Sequence, residues 1–132
     1  MPGTGFRTGK AMDEDTGGFT FWNALLAELA AAHARRGTLT YRQLIERLAL
    51  PSPAMAPLTA ALERLAAQDA QAGRPLRAAL VTSQAGSGVP RPGFFDCAAA
   101  LGACPRDLDA AGIRDWYAAE LARVFAWAYP DA

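Results

Sequence analysis

The chain has 132 residues and a mass of 13.9 kDa, which fits one domain, and its 52% hydrophobic residues against 20% charged supply a real core. Thirteen basic and thirteen acidic side chains cancel, which excludes a globally basic polyanion binder; the apolar share excludes a disordered or disulfide-dependent mini-protein. No apolar run approaches the roughly 18 residues of a membrane span and no signal-like apolar core opens the chain, so the expected compartment is the cytoplasm, with no membrane partner.

Residues 1–18 hold five glycines and no Val, Ile or Leu, and are expected to form a flexible tail ahead of a single domain over 19–132. Trp22, Leu25, Leu26, Leu29 and His33 then recur at three- and four-residue steps, which predicts a helix capped by Thr20 and stopped by Gly37. His33 on that apolar face reads as a core residue. In Leu39-Thr40-Tyr41-Arg42-Gln43-Leu44, Thr40 and Gln43 make a capping box, and Leu39 and Leu44 occupy the hydrophobic-staple positions of a short second helix. Pro51-Ser52-Pro53 breaks it, and Ser52 or Pro57 opens a third helix with the stripe Leu58, Ala61, Leu62, Leu65 and Ala66, ended by Gly73. Two helices joined this way have helix-turn-helix organisation.

After Gly73 the period changes. Leu76 to Ser83 has the length and branched residues of a strand, residues 84–88 read as a turn, and Val89 starts a short return strand. Cys97 to Leu101 suggests a short helix ended by Gly102, and Ile113, Trp116, Tyr117, Glu120, Leu121, Val124 and Phe125 predict a last helix over about 110–129. The expected fold is therefore mostly α: a winged helix-turn-helix with a two-stranded β-wing and extra N- and C-terminal helices.

Chemistry of a catalytic kind is hard to place. Three serines, two cysteines and one histidine offer no nucleophile–base pattern and no metal-ligand spacing, so the expectation is a non-enzyme without cofactor or metal. Cys97 and Cys104 read as buried free thiols. Charge is more informative: residues 1–32 carry net −2, residues 33–91 carry +5, and residues 92–132 carry −3. A basic middle faces a polyanion well, although pairing between segments explains it equally. On a helix-turn-helix the groove-facing positions are Ser52, Met55, Thr59, Glu63 and Arg64, with Arg42, Arg74, Arg77 and Arg91 placed to meet phosphates. With a single Arg on the reading helix, that set implies weak, backbone-directed binding to duplex DNA.

Gly37-Thr38-Leu39-Thr40-Tyr41-Arg42-Gln43-Leu44, the Pro51–Leu65 segment and Arg74-Pro75-Leu76-Arg77-Ala78-Ala79-Leu80-Val81 resemble the winged-helix domain of the DNA alkyltransferases and alkyltransferase-like proteins, over about residues 37–92. Where that family has Pro-Cys-His-Arg this chain reads Pro75-Leu76-Arg77-Ala78, so the resemblance implies a DNA-binding fold without the acceptor cysteine. The pattern from Gly73 through Pro92-Gly93-Phe94-Phe95 is also similar to small uncharacterised bacterial helix-turn-helix proteins. The alternative is a protein-interaction or dimerisation module with no DNA role, using Trp116, Tyr117, Leu121, Val124, Phe125 and Trp127 of the last helix as a homodimer or partner surface.

Overall fold

Good helix formers and one well-capped turn set the frame. The computed structural model describes residues 9–83 and 88–130, with side chains from Thr20 onward. It is mostly helical with a small two-stranded sheet. Helix α1 (Gly9–Ala34) begins ten residues before Phe19, so residues 9–18, expected as tail, are helical; residues 1–8 lie outside the described residues. Lys10, Ala11 and Met12 favour helix, and extending a helix costs far less than nucleating one. At its other end the left-handed residue is Arg36 (φ 56°), with the Gly37 N–H bonded back to the Ala32 carbonyl at 2.9 Å. The stop expected at Gly37 is thus a two-step cap in which Arg36 takes the strained position.

Strand β1 (Leu39–Thr40) runs directly into α2 (Tyr41–Arg47). The capping box forms as its residues predict: Thr40 Oγ1 accepts from the Gln43 N–H at 3.0 Å, and Gln43 Oε1 accepts from the Thr40 N–H at 2.9 Å. Leu39 and Leu44 are both buried, as the staple requires. Helix α3 (Met55–Gln71) starts from Ala54 without a side-chain cap, so Ser52 does not serve as one, and Pro57 sits in the first turn, where its missing N–H costs little. Gly73 (φ 73°) ends it, with the Arg74 N–H bonded to the Asp69 carbonyl at 2.8 Å.

The expected strand over Leu76–Ser83 is replaced by a 3-10 turn (Arg77–Leu80) and a two-residue β2 (Val81–Thr82). Every residue from Pro75 to Thr82 is buried, so the segment has no solvent face and no alternation of the kind a half-exposed ribbon needs. β2 pairs in parallel with β1, in the register Leu39 with Val81 and Thr40 with Thr82. The sheet is therefore not the expected antiparallel ribbon; where that ribbon was expected, the Ser83 N–H bonds to the Val89 carbonyl (2.7 Å), and residues 84–87 lie outside the described residues.

Side chains supply what a sheet would otherwise give this buried segment. Tyr129 Oη donates to the Pro75 carbonyl (2.8 Å), Glu120 Oε2 accepts the Leu76 N–H (2.8 Å), Asp69 Oδ2 accepts the Arg77 N–H (3.0 Å), and Tyr117 Oη donates to the Ala79 carbonyl (2.8 Å). Buried backbone groups must find partners, and here α3, the C-terminal helix and Tyr129 beyond its end provide them. Helix α4 (Pro92–Ala100) starts five residues earlier than expected, because Pro92 is well suited to a first helical position. Helix α5 (Ala110–Ala126) is capped by Asp109, whose Oδ1 accepts the Gly112 N–H at 2.8 Å. Its end is held by His33, whose Nε2–H lies 2.9 Å from the Val124 carbonyl and 2.8 Å from that of Trp127. Leu25, Leu29, Leu44, Leu58, Leu65, Leu80 and Val124 form the centre of the core.

Candidate nucleic-acid interface and the cleft beside it

Half of the basic middle is already paired. Of the eight arginines between residues 33 and 91, Arg42 meets Glu46 (3.4 Å), Arg47 meets Glu28 (2.6 Å), and Arg74 and Arg77 both meet Asp69 at 2.9 Å. The Arg42 pair is exposed and weak, and leaves that side chain free to exchange partners. The Asp69 knot is different. Asp69 is fully buried, Arg77 is 4% exposed, and the Arg77 guanidinium lies 4.6 Å from the centre of the Tyr129 ring. Arg77 is thus removed from the phosphate-contacting set, and Arg74, bonded to the same carboxylate, is committed to it as well. Two arginines five and eight residues after an acid that continues the apolar stripe of α3 were the legible sign of this knot.

The remaining candidates lie around α3. Ser52 is exposed in the turn before the helix, Ala56, Pro57 and Ala60 are exposed along its outer face, and Thr59 is half-buried. Arg64 is exposed, but its guanidinium stacks over the Trp22 ring at 4.9 Å, on the α1 side. Arg91 is exposed immediately before α4, with its guanidinium 5.8 Å from the centre of the Tyr41 ring and its N–H directed at Tyr41 Oη (3.4 Å). Burial raises the Tyr41 phenol above its ordinary value, while Arg91 pulls it back down. No carboxylate pairs with Arg91 among the described residues.

Between α3 and the start of α4 opens a cleft of about 330 Å³. Met55, Leu62, Ala66, Ala78, Pro92, Gly93 and Phe94 give it an apolar lining, with Tyr41, Thr59, Glu63, Arg91 and Cys97 as its polar members. The structure therefore brings Thr59, Met55, Glu63 and Arg91 to one place and leaves Arg42, Ser52 and Arg64 outside it. Tyr41, Ala78, Gly93 and Cys97 carry no local signal of a site, because four elements far apart in sequence build the wall. Burial, with Glu63 adding to it, raises the Cys97 thiol, and burial followed by Glu120 raises that of Cys104; both thiols are free and neither is activated.

The proposed partner surface on α5 is largely spent within the chain. Tyr117 and Val124 are buried, Trp116 donates its indole N–H to the Ala103 carbonyl (3.2 Å) and packs on Phe94 and Phe95, and Leu121 is half-buried. Phe125 lies under Arg36 and beside His33, which leaves Trp127, at 39% exposed, as the outward member of the set. Among the described residues no group of three His, Cys, Asp or Glu side chains is placed to hold a metal ion, and no helix is long and apolar enough to cross a membrane. No protein-family model, curated protein or solved structure matches the chain.

Proposed function

We propose that the chain is a non-enzymatic nucleic-acid-binding domain of winged-helix type, in which α2 and α3 are the helix-turn-helix and the Ser83–Val89 bond is the remnant of the wing. The observation that carries this reading is the outer face of α3. Its small exposed residues Ala56, Pro57 and Ala60 leave the helix axis close to the surface, and Arg42 on α2, Arg64 on α3 itself and Arg91 just before α4 are exposed. Short side chains let a helix lie deep in the major groove, and flanking cations then reach phosphate without reading bases. The resemblance over residues 37–92 to the DNA-binding domain of alkyltransferase-like proteins supports the same assignment. The interaction-module alternative loses Tyr117 and Val124 to the core.

Fluorescence anisotropy with a random-sequence duplex tests the proposal. Three phosphate contacts give a log–log salt slope near −2.7, so an approximately fourfold rise in salt weakens binding by about 40-fold. Replacing Arg42 and Arg91 together by Ala flattens that slope by about 2, whereas replacing Trp127 leaves it unchanged. Absence of binding at low salt, or binding indifferent to salt, overturns the reading.

A further inference from the structure

We propose that the cleft between α3 and α4 is a binding site for a small aromatic carboxylate, independently of whether the domain binds nucleic acid. Its volume of about 330 Å³ lies at the small end of ligand sites, the size of a single ring system rather than an extended chain. The lining is apolar along both walls, with Met55 and Leu62 on α3 facing Phe94 on α4. Such a cleft gains contacts when a flat apolar body fills it, because open apolar walls lack partner atoms on one side.

Charge selects the rest of the ligand. Arg91 presents a planar guanidinium at the cleft without a carboxylate partner among the described residues, 5.8 Å from the centre of the Tyr41 ring. A guanidinium at the edge of an apolar cleft is suited to a carboxylate, which it binds through two parallel N–H donors. Glu63 also lines the cleft, makes no ion pair with Arg91, and lies close enough to Cys97 on α4 to raise its thiol. The two charges are not paired with each other, and the Glu63 carboxylate favours a ligand that also carries a hydroxyl or amine donor. A ring with a carboxylate and a separate donor satisfies both.

Calorimetric titration of the protein without nucleic acid, using 4-hydroxybenzoate, benzoate and the neutral 4-hydroxybenzamide, tests the assignment. The expected order is 4-hydroxybenzoate tightest, with Arg91→Gln weakening it about tenfold, the loss of one charge-assisted contact, and leaving the amide unaffected. Gly93→Phe adds bulk at a residue that lines the cleft and whose β-carbon position is open, since a Cβ built there meets nothing within 4 Å; with an unchanged urea midpoint showing that it folds, the variant is expected to lose binding of all three. No saturable binding of either carboxylate, an amide that binds as tightly as the acid, or affinities untouched by Arg91→Gln or Gly93→Phe would each overturn the proposal. Because no duplex is present, failure here leaves the nucleic-acid reading standing, and the reverse also holds.

Discussion

Arg77 and Arg91 each lay a guanidinium over a tyrosine ring, at 4.6 Å over Tyr129 and 5.8 Å over Tyr41, and the sequence presents them as equals in one basic stretch. Their surroundings make them opposites. Arg77 is buried, bonded to Asp69 through Nε, Nη2 and its own N–H, and fixes the path of the chain beneath it. Arg91 is exposed and borders an open cleft. A cation near an aromatic ring is therefore no sign of function by itself; what separates the two is the carboxylate, present for one and, among the described residues, absent for the other. Net charge along a sequence counts both, and so overstates the surface available to a polyanion.

The contrast breaks most visibly at Asp69. Replacing Asp69 by Ala strands a buried guanidinium, and is expected to cost about 3–5 kcal/mol of stability in urea unfolding. A loss below 1 kcal/mol would mean that Arg77 finds water or another acceptor and that the knot is not structural. High pH probes the same region. Burial, with Tyr41 adding to it, pushes the Tyr117 phenol up to about 12 from an ordinary 10.0, and burial raises Tyr129 too, with Asp69 the next contributor. Below pH 10 both phenols stay protonated whether folded or unfolded; above it the unfolded chain loses protons that the folded one keeps. Stability therefore falls as pH rises from 10 towards 12, by about 2–3 kcal/mol for Tyr117 alone, and Tyr117→Phe flattens that part of the curve.

Glu120 sharpens the comparison, because it holds the Leu76 N–H on one oxygen and Arg123 on the other, so only half of its work is buried. Glu120→Ala is expected to cost about 1–3 kcal/mol through the orphaned N–H, and Glu120→Gln distinctly less, read from the urea midpoint. The smallest effect belongs to the exposed partner of the opening pair. Arg91→Ala changes stability by no more than about 0.5 kcal/mol while weakening duplex binding, and a larger loss would assign Arg91 to the core rather than to the surface.

How much of this was legible in one sequence follows from how local each cause is. The start of α2 was readable because Thr40, Gln43, Leu39 and Leu44 contain the whole cap among themselves. The stripe of α3 and the stop at Gly73 were equally local. Leu76–Thr82 was misread as a ribbon strand because its branched residues fit one, while the groups that bend it are supplied by Asp69, Tyr117, Glu120 and Tyr129, on other elements. The cleft was invisible for the same reason: Tyr41, Ala78 and Gly93 carry no pattern until the fold brings them together. On α5, the period showed apolar side chains correctly but not that most of them face the chain's own core.

One consequence of the Pro75–Leu80 turn concerns the order in which the molecule comes apart. The Arg77 amide is secured by a carboxylate eight residues back, in the last turn of α3, and the Leu76 amide by one 44 residues on, in the interior of α5. Fraying at either end of α5 leaves Glu120 in place, so the Leu76 amide proton exchanges with solvent only when α5 leaves the core. In a deuterium-exchange experiment the slowest sites should therefore fall in this short irregular stretch and not in the middle of the long helices. A chain cut before Ala110 should lose the protection of the Leu76 amide, even with α1 to α4 intact in sequence.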